Sequence, residues 1–171
     1  VYKRQDLTDS YGFQIGLDSG AAVSVLPQTA CSEYELRANS GEPIYYRNAS
    51  GDKMIDNGSR CVTVITGDHE FKHINFRVTG VHKALASVSA ICDRGQQVVF
   101  QRDGGYILDE RTGKRTPFER DNDVYHFNVQ VPKPPPHSPE CKPLAPVDRS
   151  SKTGAKAAKR SDFARLAPYL P

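Results

Sequence analysis

Two short stretches of the 171-residue chain hold residue types able to do hydrolytic chemistry. In Ile15-Gly16-Leu17-Asp18-Ser19-Gly20-Ala21-Ala22-Val23-Ser24-Val25-Leu26-Pro27, one carboxylate follows an apolar run and precedes a hydroxyl, a glycine and an alanine. A bare Asp-Ser-Gly is an ordinary turn, since Asp and Ser bond their own backbone and Gly accepts positive φ. The apolar residues on both sides predict a buried turn, and a buried carboxylate is costly unless paired or protonated. A second carboxylate sharing one proton would remove that cost.

The second stretch, His69-Glu70-Phe71-Lys72-His73, spells H-E-x-x-H, which binds zinc when it lies on a helix. On a helix the two imidazoles share a face about 6 Å apart, whereas on a strand they stand about 13 Å apart, too far for one metal. The neighbours predict a strand: Thr66-Gly67-Asp68 is a turn, and Ile74, Phe76 and Val78 alternate with Asn75, Arg77 and Thr79. Phe76 and Thr79 also stand where the extended zinc motif needs Gly and His. The expectation is therefore a strand surface, with no metal and no cofactor.

The elements around these stretches read as β structure. Gly12 to Leu17, Cys61 to Ile65 and Phe71 to Val78 have strand composition, as do Val98 to Phe100, Tyr106 to Leu108 and Val124 to Phe127. Between them fall Asn39-Ser40-Gly41, Ser50-Gly51-Asp52, Asp56-Asn57-Gly58, Thr66-Gly67-Asp68, Asp103-Gly104-Gly105 and Thr112-Gly113-Lys114, all turn signals. Turns at this spacing predict an all-β barrel or sandwich. The one helical candidate is Lys83 to Asp93, with Leu85, Val88, Ile91 and Cys92 on one face and Gly95 placed to end it.

Charge and proline divide the chain. Residues 133–171 hold 8 Lys/Arg against 3 Asp/Glu, and nine of the 12 prolines lie from Pro132 onward. Such a segment buries too little surface to order itself. We expect a domain over 1–131 and a disordered, Pro-rich basic linker or tail over 132–171. Its Lys/Arg clusters could bind nucleic acid, but Phe163 and Tyr169 are too sparse to form a stacking platform, and the linker reading is preferred. No window is apolar enough to span a membrane, and VYKRQDLTDS is not a signal peptide. Cys31, Cys61, Cys92 and Cys141 lack the close pairs of a zinc ribbon. They are read as free thiols in a reducing compartment, with a disulfide framework as the alternative. The expected setting is intracellular and cytoplasmic.

Leu17-Asp18-Ser19-Gly20-Ala21, followed by Ser24-Val25-Leu26, is similar to the active-site loop of retropepsin-type aspartic proteases. The D-S-G-A spelling looks most like the proteases of Copia-type retrotransposon Pol polyproteins. Lys83-Ala84-Leu85-Ala86-Ser87-Val88-Ser89-Ala90-Ile91-Cys92-Asp93-Arg94-Gly95 resembles the "NLLSVSQLCDKG" type segment of those polyproteins, and the similarity continues through Gly105 to Asp109, Thr112 to Lys114 and Asp123 to Tyr125. It covers roughly residues 12–131. One position departs from the retropepsin pattern: Ala84-Leu85-Ala86 has no Gly in its third place, which bears on how closely the helix approaches the loop.

The resemblance implies a retropepsin-like closed barrel with one short helix near its C-terminal part, and an aspartic endopeptidase cleaving its own polyprotein's junctions. Asp18 would be the catalytic aspartate, Ser19 the hydroxyl bracing the loop against its partner, and Gly20 with Ala21 the close-packed residues behind the carboxylate. Tyr46 to Lys53 would be the flap hairpin, its tip at Ala49, Ser50, Gly51 and Asp52, although a surface turn without a gating role explains the same residues. The mechanism needs two carboxylates about 3 Å apart. No second Asp-[Ser/Thr]-Gly exists, because Asp9-Ser10 runs into Tyr11 and Asp103 into Gly104. The active form would be a homodimer contributing Asp18 twice across a two-fold axis. The rival reading is a catalytically inactive, retroelement-derived barrel that acts as a binding or structural domain, since a motif records ancestry rather than turnover.

Overall fold

A computed structural model of the chain describes residues 9–134. The tail expected from residue 132 onward therefore lies, beyond Pro134, outside the described residues. The elements in order are β1 (Ser10–Asp18), β2 (Val25–Pro27), β3 (Leu36–Arg37), β4 (Tyr45–Arg47), β5 (Lys53–Ile55), β6 (Ser59–Ile65), β7 (Phe71–Thr79), β8 (Leu85–Ser87), α1 (Val88–Cys92), β9 (Gln96–Gln101), β10 (Gly104–Asp109), β11 (Arg115–Asp121) and β12 (Val124–Pro132).

The fold is all-β and contains a closed barrel. Strands run β6-β7-β2-β8-β1-β12, and a β12 to β6 pairing at Gln130↔Ile65 closes the ring at six strands. β3 hangs on β6, β11-β10-β9 continue outward from β12 as a meander, and β4 with β5 form a separate two-stranded sheet. Alternation places the core: Phe127, Val129 and Val131 of β12 are buried while Asn128 and Gln130 are exposed. Ile15, Leu26, Val62, Val64, Phe76 and Val131 are wholly buried, each worth about 1.5–3 kcal/mol of apolar burial. In the meander, Phe118 packs tilted or edge-on to Phe100, Tyr125 and Phe127 at centroid distances of 5.4, 5.9 and 6.0 Å. Gly105 leaves room for that ring, because a Cβ there would lie 2.4 Å from Phe118 Cζ and 2.1 Å from the Val99 carbonyl oxygen.

β12 bears directly on where the domain ends. It pairs β1 from Ser10↔Pro132 to Gly16↔His126, so the residues after Gly95 supply a barrel strand and are part of the same body. β11 escaped the sequence reading because Pro117 and the surrounding charges mask its buried Thr116 and Phe118. Pro117 is tolerated because β12 pairs only Glu119 to Asp121 of β11 and needs no N–H from it.

Two expectations are corrected. The predicted helix over Lys83 to Asp93 is helical only at Val88–Cys92. Leu85–Ser87 form β8, which runs parallel to β1 with Gly16↔Leu85, Leu17↔Ala86 and Asp18↔Ser87 in register. Ladder bonds to β1 outweigh the local helical spacing there, since Ala84 and Ala86 are buried by that strand path. The four cysteines are also not all free thiols: Cys31 and Cys92 are free, but Cys61 is disulfide-bonded. Sequence spacing does not report which cysteines approach within bonding distance.

Candidate active site

Asp18 is the last residue of β1, and the loop that follows it is tied to its neighbours on three strands. Upstream, the Gly16 N–H donates to the Ala84 carbonyl at 2.9 Å. A Cβ on Gly16 would lie 3.0 Å from Leu85 Cδ2, so the small residue that permits close approach sits on β1 and not at Ala86. Within the loop, the Gly20 N–H donates to Asp18 Oδ1 at 2.7 Å. A Cβ on Gly20 would stand 3.3 Å from that same oxygen, crowding the carboxylate.

Downstream, a buried serine holds the loop. Ser87 is 0% exposed; its hydroxyl donates to the Ala21 carbonyl at 2.7 Å, and its N–H donates to Ser24 Oγ at 3.1 Å. The same hydroxyl accepts from the Ala90 N–H at 3.2 Å and so caps α1. The Arg77 N–H donates to the Ser24 carbonyl at 2.9 Å, and β2 then lies between β7 and β8, with Val25 in register with both Arg77 and Leu85. Sequence reading missed the roles of Ser87 and Ser24. A serine opening Val88 to Cys92 was an available capping signal, hidden because the predicted helix starts five residues too early.

The expected burial of this turn is corrected. Asp18 is half-buried, and Ser19 and Gly20 are exposed. The flanking apolar residues Ile15, Val25 and Leu26 do enter the core, but they do so within β1 and β2, while the turn projects past the strand ends. One chain thus presents a single carboxylate, an adjacent hydroxyl and open space beside them.

The candidate flap segment is a hairpin arm. β4 and β5 pair as Tyr45↔Ile55, Tyr46↔Met54 and Arg47↔Lys53, and neither strand joins the ten-stranded sheet. Its tip, Ala49, Ser50, Gly51 and Asp52, is exposed. The turn is cross-bonded internally: the Asp52 N–H donates to Asn48 Oδ1 at 2.8 Å, the Gly51 N–H to the Asn48 carbonyl at 3.0 Å, and Arg47 Nη1 to the Gly51 carbonyl at 2.8 Å. Gly51, at φ +88°, takes the left-handed position that the turn requires.

At the arm's base stands Asp56, whose side chain is fully buried. Its carboxylate accepts from Arg77 Nε at 2.8 Å and from the Gly58 N–H at 2.9 Å, and Arg77 Nη2 lies 2.6 Å from Oδ2. Asn39 braces both partners, donating to the Asp56 carbonyl at 2.8 Å and accepting from Arg77 Nη2 at 2.5 Å. Tyr46, from the arm, lies against the pair; burial, and next the Asp56 charge, push its phenol above the ordinary range. None of these roles was visible in the sequence, because ion-pair partners 21 residues apart leave no local pattern.

The H-E-x-x-H stretch is not helical. His69 sits in the turn between β6 and β7 at φ +59°, and His73 lies on β7 with Nδ1 3.0 Å from Thr63 Oγ1. Glu70 is bonded to Lys114 and Lys72, which hold its carboxyl below the usual range. Among the described residues, no group of three or more His, Cys, Asp or Glu side chains is placed to hold a metal ion. No helix among them is long and apolar enough to cross a membrane. In comparisons with known proteins, the chain matches no family model and no curated protein.

Proposed function

We propose that this chain is an aspartic endopeptidase domain of the retropepsin type, from a Copia-like retrotransposon polyprotein, and that two copies form the site by contributing Asp18 twice. The observation that carries the reading is the setting of Asp18: a carboxylate at a barrel strand's end, on a loop anchored through Ala21 and Ser24, with Ser19 and Gly20 open to solvent. A two-fold-related copy can approach that face and set its own carboxylate alongside.

The chemistry then follows from one proton shared by two carboxylates. The ionised member takes a proton from a bound water as the water oxygen attacks the scissile carbonyl carbon. The protonated member gives its proton to the carbonyl oxygen. The resulting diol collapses, the C–N bond breaks, and the leaving nitrogen takes up a proton. The β4–β5 arm serves as the cover that excludes bulk water, and the substrates are polypeptide junctions of the parent polyprotein. The same reading sets the domain inside the cell, where the Cys61 disulfide is the bond a reducing cytosol would act on.

The test compares the chain with Asp18→Asn on a peptide library from pH 4 to 7, at several protein concentrations, with pepstatin or a chelator. Loss of about 10³-fold or more in cleavage on substitution is expected, together with a faster than linear rise with concentration and inhibition by pepstatin. Cleavage that survives the substitution would reject the reading. No cleavage under any condition would favour the inactive binding-domain reading.

A further inference from the structure

The buried pair at the base of the arm makes a connection that the proposed chemistry does not use. Arg77 belongs to two structures at once. Its backbone N–H holds the Ser24 carbonyl, at the end of the Asp18 loop, and its Cα is in register with Val25 of β2. Its guanidinium holds Asp56, the residue directly after β5. Asp56 in turn receives the Gly58 N–H, and its own N–H donates to the Ile44 carbonyl at 2.9 Å, just before β4. Both feet of the arm therefore meet at one residue, Asp56, and its carboxylate is held by a residue that also fixes the loop.

The composition of this junction suits a mechanical role. A two-stranded sheet of three residue pairs is not stable in water on its own, so whatever fastens its base sets its position. Just past the arm's foot, backbone bonds join the Asn57 N–H to the Val78 carbonyl and the Val78 N–H to the Gly58 carbonyl, both at 2.8 Å; the side-chain fastening beside them is ionic and planar, the Arg77 fork meeting Asp56 and Asn39 together in a geometry that a lysine ammonium could not reproduce. Gly58, at φ +127°, passes so close to β3 that a Cβ there would lie 2.3 Å from the Arg37 carbonyl oxygen, so no other residue fits beside the clamp.

We propose that Arg77 and Asp56 are a positioning pair that couples the Asp18 loop to the β4–β5 arm, so that displacement of the arm is felt at Ser24 and the loop behind it. Its catalytic consequence rests on the reading of the arm as the cover of the site; the mechanical coupling does not. Removing Arg77 alone strands a buried carboxylate and endangers folding, whereas removing both charges together is tolerated far better. The diagnostic variant is therefore the double substitution Asp56→Asn with Arg77→Met, and Arg77→Lys is the conservative comparison.

Hydrogen–deuterium exchange of the full chain reads the coupling. In the double variant, amides of residues 44–56 and of residues 19–25 are expected to exchange about tenfold faster, while those of β9 to β11 are unchanged. Arg77→Lys should show a smaller change in the same two segments. Acceleration confined to the arm, or spread evenly over the barrel, would overturn the coupling. In peptide hydrolysis the double variant, which loosens both loop and arm, should raise KM and lower kcat together, each by about threefold or more; an unchanged KM overturns the positioning role. If the unaltered chain cleaves no peptide, the functional reading fails, and the exchange pattern alone decides the coupling.

Discussion

The Asp18 loop and the β4–β5 arm are both turns between short strands, yet they are held by opposite means. The loop is fastened by backbone: β1 and β2 are laddered to β8, β2 also to β7, and the buried Ser87 adds bonds to Ala21 and Ser24. The arm has no ladder to the main sheet, and its side-chain attachment is one buried ion pair with Asn39 and Tyr46 around it. Backbone ladders inside a barrel open only with the barrel, while a side-chain clamp opens by itself. The molecule thus holds its candidate reacting group rigidly and its candidate cover adjustably, which is the division a closing site needs.

Breaking the arm's fastening should have the largest effect on folding. Arg77→Met leaves the Asp56 carboxylate buried without its cation, and a loss of about 3–5 kcal/mol is expected, read from urea unfolding midpoints at pH 7. A loss under about 1 kcal/mol would mean that the Gly58 N–H suffices for the carboxylate, and would erase the contrast between clamp and ladder.

A pH titration checks the barrel seam independently of both regions. Tyr34 is 2% exposed, and its hydroxyl lies 2.6 Å from the Pro132 carbonyl and 3.2 Å from that of Thr63, joining β12 to β6. Burial is the main cause that pushes its phenol from 10.0 up to about 12. The folded state therefore keeps this proton after the unfolded chain has released it. The contribution is complete below pH 10 and declines as pH rises to about 12, a loss of about 2–3 kcal/mol. Tyr34→Phe should flatten that slope in denaturant melts between pH 9 and 12; an unaltered slope would assign it to the other raised phenols, Tyr11 and Tyr46.

The smallest expected change sharpens the comparison most. Ser87→Ala removes the cap of α1 and the bond to Ala21, at about 1–2 kcal/mol. Because it loosens the loop and spares the arm, it should lower kcat with KM nearly unchanged, whereas the Asp56–Arg77 double variant moves both. A matching rise in KM would show that loosening the loop alone reaches the arm by a route other than the Arg77–Asp56 pair.

Local patterns carried much of this architecture. Strand composition marked β1, β6, β7 and β12, with alternation in β7, and it kept the stretch from His69 to His73 extended where a motif match alone would have made it a zinc-binding helix; the left-handed turn at His69 was not foreseen. Ser50-Gly51-Asp52 and Thr112-Gly113-Lys114 were legible as turns because the left-handed conformation each needs favours Gly. Short elements were not legible. β2, β4, β5 and β8 have three residues each, too few to show any period.

The sequence by itself determined the all-β class, the Asp-Ser-Gly-Ala loop after an apolar strand, and the lone copy of that loop, because residue type and spacing of two encode them directly. Tertiary structure alone decided that Leu85–Ser87 become a strand beside Asp18 and that β12 closes the ring. It also decided that Asp18 stands half-exposed, that Asp56 finds Arg77, and that Cys61 is bonded. The pairings among these join residues about 20 to 70 positions apart, where loop closure and competing partners, not local preference, select the pairing.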